Sequence, residues 1–133
     1  MKPPTKLVYI AGPYRDANAW MVHCNVNHAE SLAMRVARRG MMPLCPHTNT
    51  RNFNGTLTDE FWLAGTMLIL SRCDAMMLTD DWITSSGARA EVEYAEANSI
   101  PVFESLDDLC AWRDAQAAER NGEVESPQRT RAG

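Results

Sequence analysis

Four short apolar runs, each ended by a polar or breaker-containing turn and separated by segments of helical period, limit this chain to very few architectures. Lys6-Leu-Val-Tyr-Ile-Ala11 is rich in β-forming residues and stops at Gly12-Pro13. From Ala17 to Arg39, the positions Val22, Val26, Ala29, Leu32, Ala33 and Val36 keep helical spacing, and Arg38-Arg39-Gly40 supplies a positive last turn and a stop. Met41 to Cys45 reads as a short buried strand stopped by Pro46, with His47-Thr48-Asn49-Thr50 as a polar loop at its end. Arg51 to Thr56 is an excursion before Thr58, which caps a helix through Ser71. Asp74 to Thr79 is a third strand, Ser85 to Asn98 a helix, Ile100 to Phe103 a fourth strand, and Ser105 caps a last helix carrying Leu106, Leu109, Cys110 and Trp112. Alternation of this kind predicts a three-layer α/β domain with a mostly parallel sheet of four to five strands. In such sheets the loops after the strands gather along one edge, where ligands bind.

Composition narrows what that edge serves. The 133 residues, 45% hydrophobic and 23% charged, suit a single domain over residues 1–120, and the polar stretch 121–133 reads as a disordered tail. A formal net charge of -4 and a pI near 5.3 argue against nucleic-acid or membrane partners and leave a small molecule. Cys24, Cys45, Cys73 and Cys110 form no C-x-x-C pair, so neither a zinc site nor a disulfide framework is signalled and a reducing cytoplasm is expected. The apolar run after Lys6 is too short for a leader core or a membrane span. His23 and His28 are five residues apart, about 140° round a helix, and do not form a metal pair. No metal or cofactor is expected.

Chemistry concentrates in Ser85-Ser86-Gly87-Ala88-Arg89-Ala90-Glu91. The first turn of a helix presents free N–H groups that hold anions, and a carboxylate one turn later is a candidate nucleophile. At about 100° per residue, Ala88, Val92 and Ala95 make a narrow apolar stripe with Glu91 at its edge, whereas Glu93 points away. Partial burial beside a cleft would tune the pKa of Glu91. Spacing alone also fits a glutamate that merely complements the helix dipole.

The motifs Tyr9-Ile-Ala-Gly-Pro-Tyr-Arg15, Pro46-His47, Cys73-Asp74 and Ser85-x-Gly87-x-x-x-Glu91-x-x-x-Ala95 occur in an order that resembles the nucleoside 2-deoxyribosyltransferase superfamily, over roughly residues 6–104. The resemblance implies a Rossmann- or flavodoxin-like fold and a homodimer or larger homo-oligomer whose neighbouring subunits complete the pocket. It also implies cleavage or transfer at the N-glycosidic bond of a nucleoside or nucleoside 5′-monophosphate, without cofactor. Glu91 matches the catalytic nucleophile, which attacks the anomeric carbon to give a glycosyl-enzyme ester.

Around that nucleophile the resemblance and the residues distribute further roles. An acid must help the base leave, and Asp80 or Asp81, after the third strand, is preferred over Asp59 and Glu60. Ser85 matches a serine that contacts a 5′-phosphate, with Ser86 and Gly87 adding backbone donors, whereas Pro13 stands where the monophosphate hydrolases carry serine. Gly12 and Pro13 form the first loop, Arg15 is preferred over Arg89 as the cation, and Tyr9, Tyr14, His47 and Trp82 are candidates for lining base or sugar. A catalytically silent nucleotide-binding sensor on the same fold is the alternative, and the separation between Glu91 and an aspartate distinguishes them, since a retaining pair lies about 5 Å apart.

Overall fold

The computed structural model describes residues 2–53 and 55–122; the expected tail from 123 onward lies outside them. Its elements are β1 (Leu7–Ala11), α1 (Ala19–Arg38), β2 (Met42–Leu44), α2 (Pro46–Asn49), α3 (Asp59–Ser71), β3 (Ala75–Leu78), α4 (Ser86–Ala97), β4 (Val102–Phe103) and α5 (Leu106–Arg120), with a 3₁₀ turn at Trp82–Thr84. All four strands are parallel, in the order β2-β1-β3-β4. This is the three-layer α/β architecture that the alternation of segments predicts.

Local chemistry accounts for the boundaries. Asn18, Thr58, Ser85 and Ser105 each accept a hydrogen bond from a backbone N–H in the first turn of α1, α3, α4 and α5, satisfying a donor that has no intrahelical partner. The stretch expected as a polar loop after β2 departs from the reading, because Pro46–Asn49 forms one helical turn. Pro46 sits at its start with φ already suited to a helix, and Thr48 N–H and Asn49 N–H both donate to Cys45 O.

Alternation along the central strands divides the interior. Val8 and Ile10 of β1 with Ala75 and Met77 of β3 pack against Ala29, Leu32, Ala33 and Val36 of α1 and Leu109 of α5. Tyr9 and Ala11 with Met76 and Leu78 face the other way, against Leu70 of α3 and Val92 and Ala95 of α4. Each fully buried aliphatic side chain contributes about 1.5–3 kcal/mol.

The chain passes from β1 out to β2 and then returns across β1 to β3, so the connections diverge at the carboxyl ends of β1 and β3. That divergence opens a crevice, the usual ligand position in such sheets. Gly12 ends β1 there, and Thr79, whose N–H donates to Ala11 O at 3.0 Å, ends β3. A Cβ on Gly12 would lie 2.3 Å from Thr79 Oγ1 and 2.7 Å from its Cγ2, so only glycine lets the two strand ends close to this distance. No helix among the described residues is long and apolar enough to cross a membrane.

Candidate active site

Glu91 lies at the edge of the buried stripe of α4 formed by Ala88, Val92 and Ala95, as helical spacing predicts. Its carboxylate is half-buried and accepts a hydrogen bond from Tyr9 Oη across 82 residues of sequence. Tyr9 is wholly buried in the middle of β1, on the face turned to α3 and α4. Burial pushes the Glu91 carboxyl up to about 7, with the hydrogen bond from Tyr9 acting in the opposite direction. Burial also pushes the Tyr9 phenol well above its ordinary value, and the neighbouring Glu91 charge adds to that rise. The pair therefore combines a neutral phenol donor with a carboxyl poised between its acid and its ionised form near pH 7.

Thr66 of α3 lies within hydrogen-bonding reach of Tyr9, while its own hydroxyl donates to Leu63 O at 2.8 Å. Sequence reasoning did not single out Thr66. It sits mid-helix among apolar neighbours, and nothing local marks a polar side chain that will meet a residue of another element.

The two aspartates preferred as the acid occupy other surroundings. Asp81 accepts from Thr79 Oγ1 at 2.9 Å and lies 3.7 Å from His28 Nδ1 of α1. Asp80 is exposed and borders a hollow of about 160 Å³ together with His28, Arg35, Glu104 and Ser105, on the side of α1 and α5. Glu91 hydrogen-bonds Tyr9, whereas the contacts of Asp81 are with Thr79 and His28. Asp59 is exposed and held below the ordinary carboxylate range by Arg15, whose guanidinium donates to it at 3.1 Å.

At the start of α4, Ser85 Oγ accepts from Ala88 N–H at 3.1 Å, while Ser86 and Gly87 are exposed in the first turn. The cap consumes one acceptor position of Ser85 and leaves its hydroxyl proton available to a ligand. Arg89 donates to Ile83 O, which anchors its guanidinium to the 3₁₀ turn. Trp82 packs on the α3/α4 core and donates from Nε1 to Glu104 at 3.1 Å, so it braces the end of the sheet.

His47 is 93% buried by its 7% exposure, with Nε2 2.9 Å from Pro13 O and its ring edge-on to Tyr14 at 5.6 Å. Burial lowers its pKa, so the ring is neutral, and the Pro13 carbonyl fixes the proton on Nε2. Nδ1 is then a bare acceptor, and it has no partner. Pro13 thus contributes through its carbonyl, joining the first loop to α2. Among the described residues no group of three or more His, Cys, Asp or Glu is placed to hold a metal ion.

A family model described as "Domain of unknown function (DUF7768)" matches residues 6–105. The chain belongs to the DUF7768 family. The matched span runs from the residue before β1 to the cap of α5, so the DUF7768 unit contains the Tyr9–Glu91 pair, the crevice at Gly12 and the α4 start. No curated protein matches the chain.

Proposed function

We propose that this DUF7768 domain cleaves or transfers at the N-glycosidic bond of a nucleoside or nucleoside 5′-monophosphate, with Glu91 as the nucleophile. The observation that carries this reading is the half-buried Glu91 carboxyl, held by the Tyr9 hydroxyl on a helix that starts with a capped, serine-rich turn. In its ionised form Glu91 attacks the anomeric carbon, the base departs with the C–N electron pair, and a glycosyl ester forms. Water or a second base then attacks the same carbon and releases Glu91. The Tyr9 hydroxyl orients the attacking oxygen and keeps the carboxylate in one rotamer. Exposed N–H groups at Ser86 and Gly87 and the Ser85 hydroxyl provide a place for the 5′ substituent.

Two further expectations belong to this proposal. Phe61 (55%) and Leu68 (57%), two turns apart on one side of α3, are exposed, which supports assembly into a homo-oligomer. Cys24, Cys45, Cys73 and Cys110 are free thiols, in keeping with a cytoplasmic setting.

A second reading is favoured by one observation: the hydrogen-bond partner of Glu91 is the Tyr9 hydroxyl, while Asp81 is engaged by Thr79 and His28. That arrangement suits a nucleotide-binding module without turnover. Incubating the protein with ribo- and deoxyribonucleosides and their 5′-monophosphates, with and without an acceptor base, separates hydrolase, transferase and silent binder. Base release that disappears in Glu91→Gln is the expected result. Turnover unchanged in that variant overturns the nucleophile assignment, and ligand binding without base release establishes the second reading.

A further inference from the structure

Trp62 carries a buried indole N–H that has no hydrogen-bond partner. A buried donor without a partner costs about 1–3 kcal/mol, a cost that persists where the donor serves a ligand. The neighbours of this indole are rings: Phe53 lies 5.5 Å away and tilted, and Phe61 5.1 Å away and edge-on. Neither ring carries a nitrogen or oxygen acceptor for the N–H.

Its place in the fold gives the unsatisfied donor a direction. Trp62 and Thr66 are one turn apart on the same face of α3, and Thr66 reaches Tyr9, the partner of Glu91. Because α3 leads into a strand parallel to β1, its first turn lies toward the carboxyl edge of the sheet, and Trp62 is one turn closer to that edge than Thr66. The start of α4 takes the 5′ end of the sugar and Glu91 takes the anomeric carbon. The side bordered by α3 and α2 then remains for the base.

We propose that the Trp62 indole N–H donates a hydrogen bond to an acceptor atom of the departing base; this rests on the reading of Glu91 as the glycosyl nucleophile. As the Glu91 oxygen bonds to the anomeric carbon, the C–N bond breaks and its electron pair goes to the heterocycle. Trp62 keeps its own proton and stabilises that developing charge, and the base takes a proton from solvent. Water completes the cycle by hydrolysing the ester. The ligand class is a heterocyclic base with a ring-nitrogen or carbonyl acceptor. His47 Nδ1 of α2 is an unpartnered acceptor suited to an N–H of the same base.

The test uses Trp62→Phe, which removes the N–H and keeps a ring, in two measurements. In ¹⁵N–¹H spectra of the Glu91→Gln protein, the indole resonance that disappears in Trp62→Phe moves when a nucleoside binds, while those of Trp20 and Trp112 stay. In kinetics, Trp62→Phe lowers kcat on nucleosides about tenfold or more and leaves the 4-nitrophenyl glycoside of the same sugar within about twofold, because nitrophenolate departs without help. Equal losses on both substrates, or a fixed Trp62 resonance while other site resonances move, overturn the donor role and leave Glu91 as nucleophile. Turnover that survives Glu91→Gln while the Trp62 resonance still moves overturns the nucleophile and retains Trp62 as a base contact. Absence of any shift with every nucleoside overturns both.

Discussion

The two faces of the sheet use the same strands for different purposes. Against α1 and α5 the strands present Val8, Ile10, Ala75 and Met77 to an aliphatic layer closed by Leu32, Val36 and Leu109. Against α3 and α4 the same strands present Tyr9, which no solvent reaches, and join it to an ionisable carboxyl. The first arrangement maximises apolar contact. The second retains a polar pair at the cost of desolvating a carboxylate, and that cost appears as the raised pKa of Glu91. Acidic residues near the first face, Asp80 and Asp81, stay exposed or half-exposed and find local partners. A carboxyl is kept partly dry where it faces Tyr9, and the proposed chemistry rests on this difference.

Glu91→Gln gives the largest expected effect on this contrast, lowering base release by more than about a thousandfold with the fold retained; a smaller loss would remove the reason for distinguishing the faces. On the aliphatic face, Ile10→Ala destabilises by about 2–5 kcal/mol in urea unfolding, with the chemistry of the remaining folded protein unaltered. A loss of turnover without a loss of stability would place the site on that side instead.

Titration should separate stability from activity. A carboxyl whose folded pKa is raised binds its proton more tightly in the native state, so its contribution is fully present below the unfolded value and lost as pH rises through the folded one. Stability therefore falls by up to about 3 kcal/mol between roughly pH 4.5 and about 7. On the proposed mechanism turnover should rise over the upper part of that window, because the attack needs ionised Glu91. Urea melts across pH should show the decline in the natural chain and its absence in Glu91→Gln; a decline that persists in the variant assigns it to another group.

The smallest effect is expected from the aspartates. Removing a true general acid costs about 10²–10⁴-fold, whereas Asp80→Asn and Asp81→Asn should each cost less than about tenfold. A loss in the larger range would mean that the crevice draws on both faces, and the contrast between them would then have to be redrawn around β3.

Much of the architecture was legible because its signals are local. Thr58, Ser85 and Ser105 mark helix starts by their own chemistry, and the stripe Ala88, Val92, Ala95 follows from period alone. The Tyr9–Glu91 contact joins residues 82 apart, and only the register of β1 beside β3 under α4 brings them together. Helical spacing placed Glu91 at the edge of a buried face without naming what it meets. Asp80 and Asp81 follow β3 as a cleft carboxylate would, yet the sequence does not say on which side of the sheet they emerge. Trp62 and Thr66 escaped notice because, in an apolar helix, an aromatic and a threonine read as packing. His47 lost its loop and gained burial when Pro46 started a helical turn.

The close approach of Gly12 to Thr79 makes two positions into one heritable unit. A side chain at 12 meets Thr79 Oγ1 at 2.3 Å and Cγ2 at 2.7 Å, whereas trimming Thr79 to alanine leaves its Cβ at 3.0 Å as the nearest obstacle. Gly12→Ala alone should cost about 1–3 kcal/mol, and Thr79→Ala should recover part of that loss in a double-mutant cycle. A selection for suppressors of an alanine at 12 would therefore return changes at 79, reporting the junction of two strand ends through genetics alone.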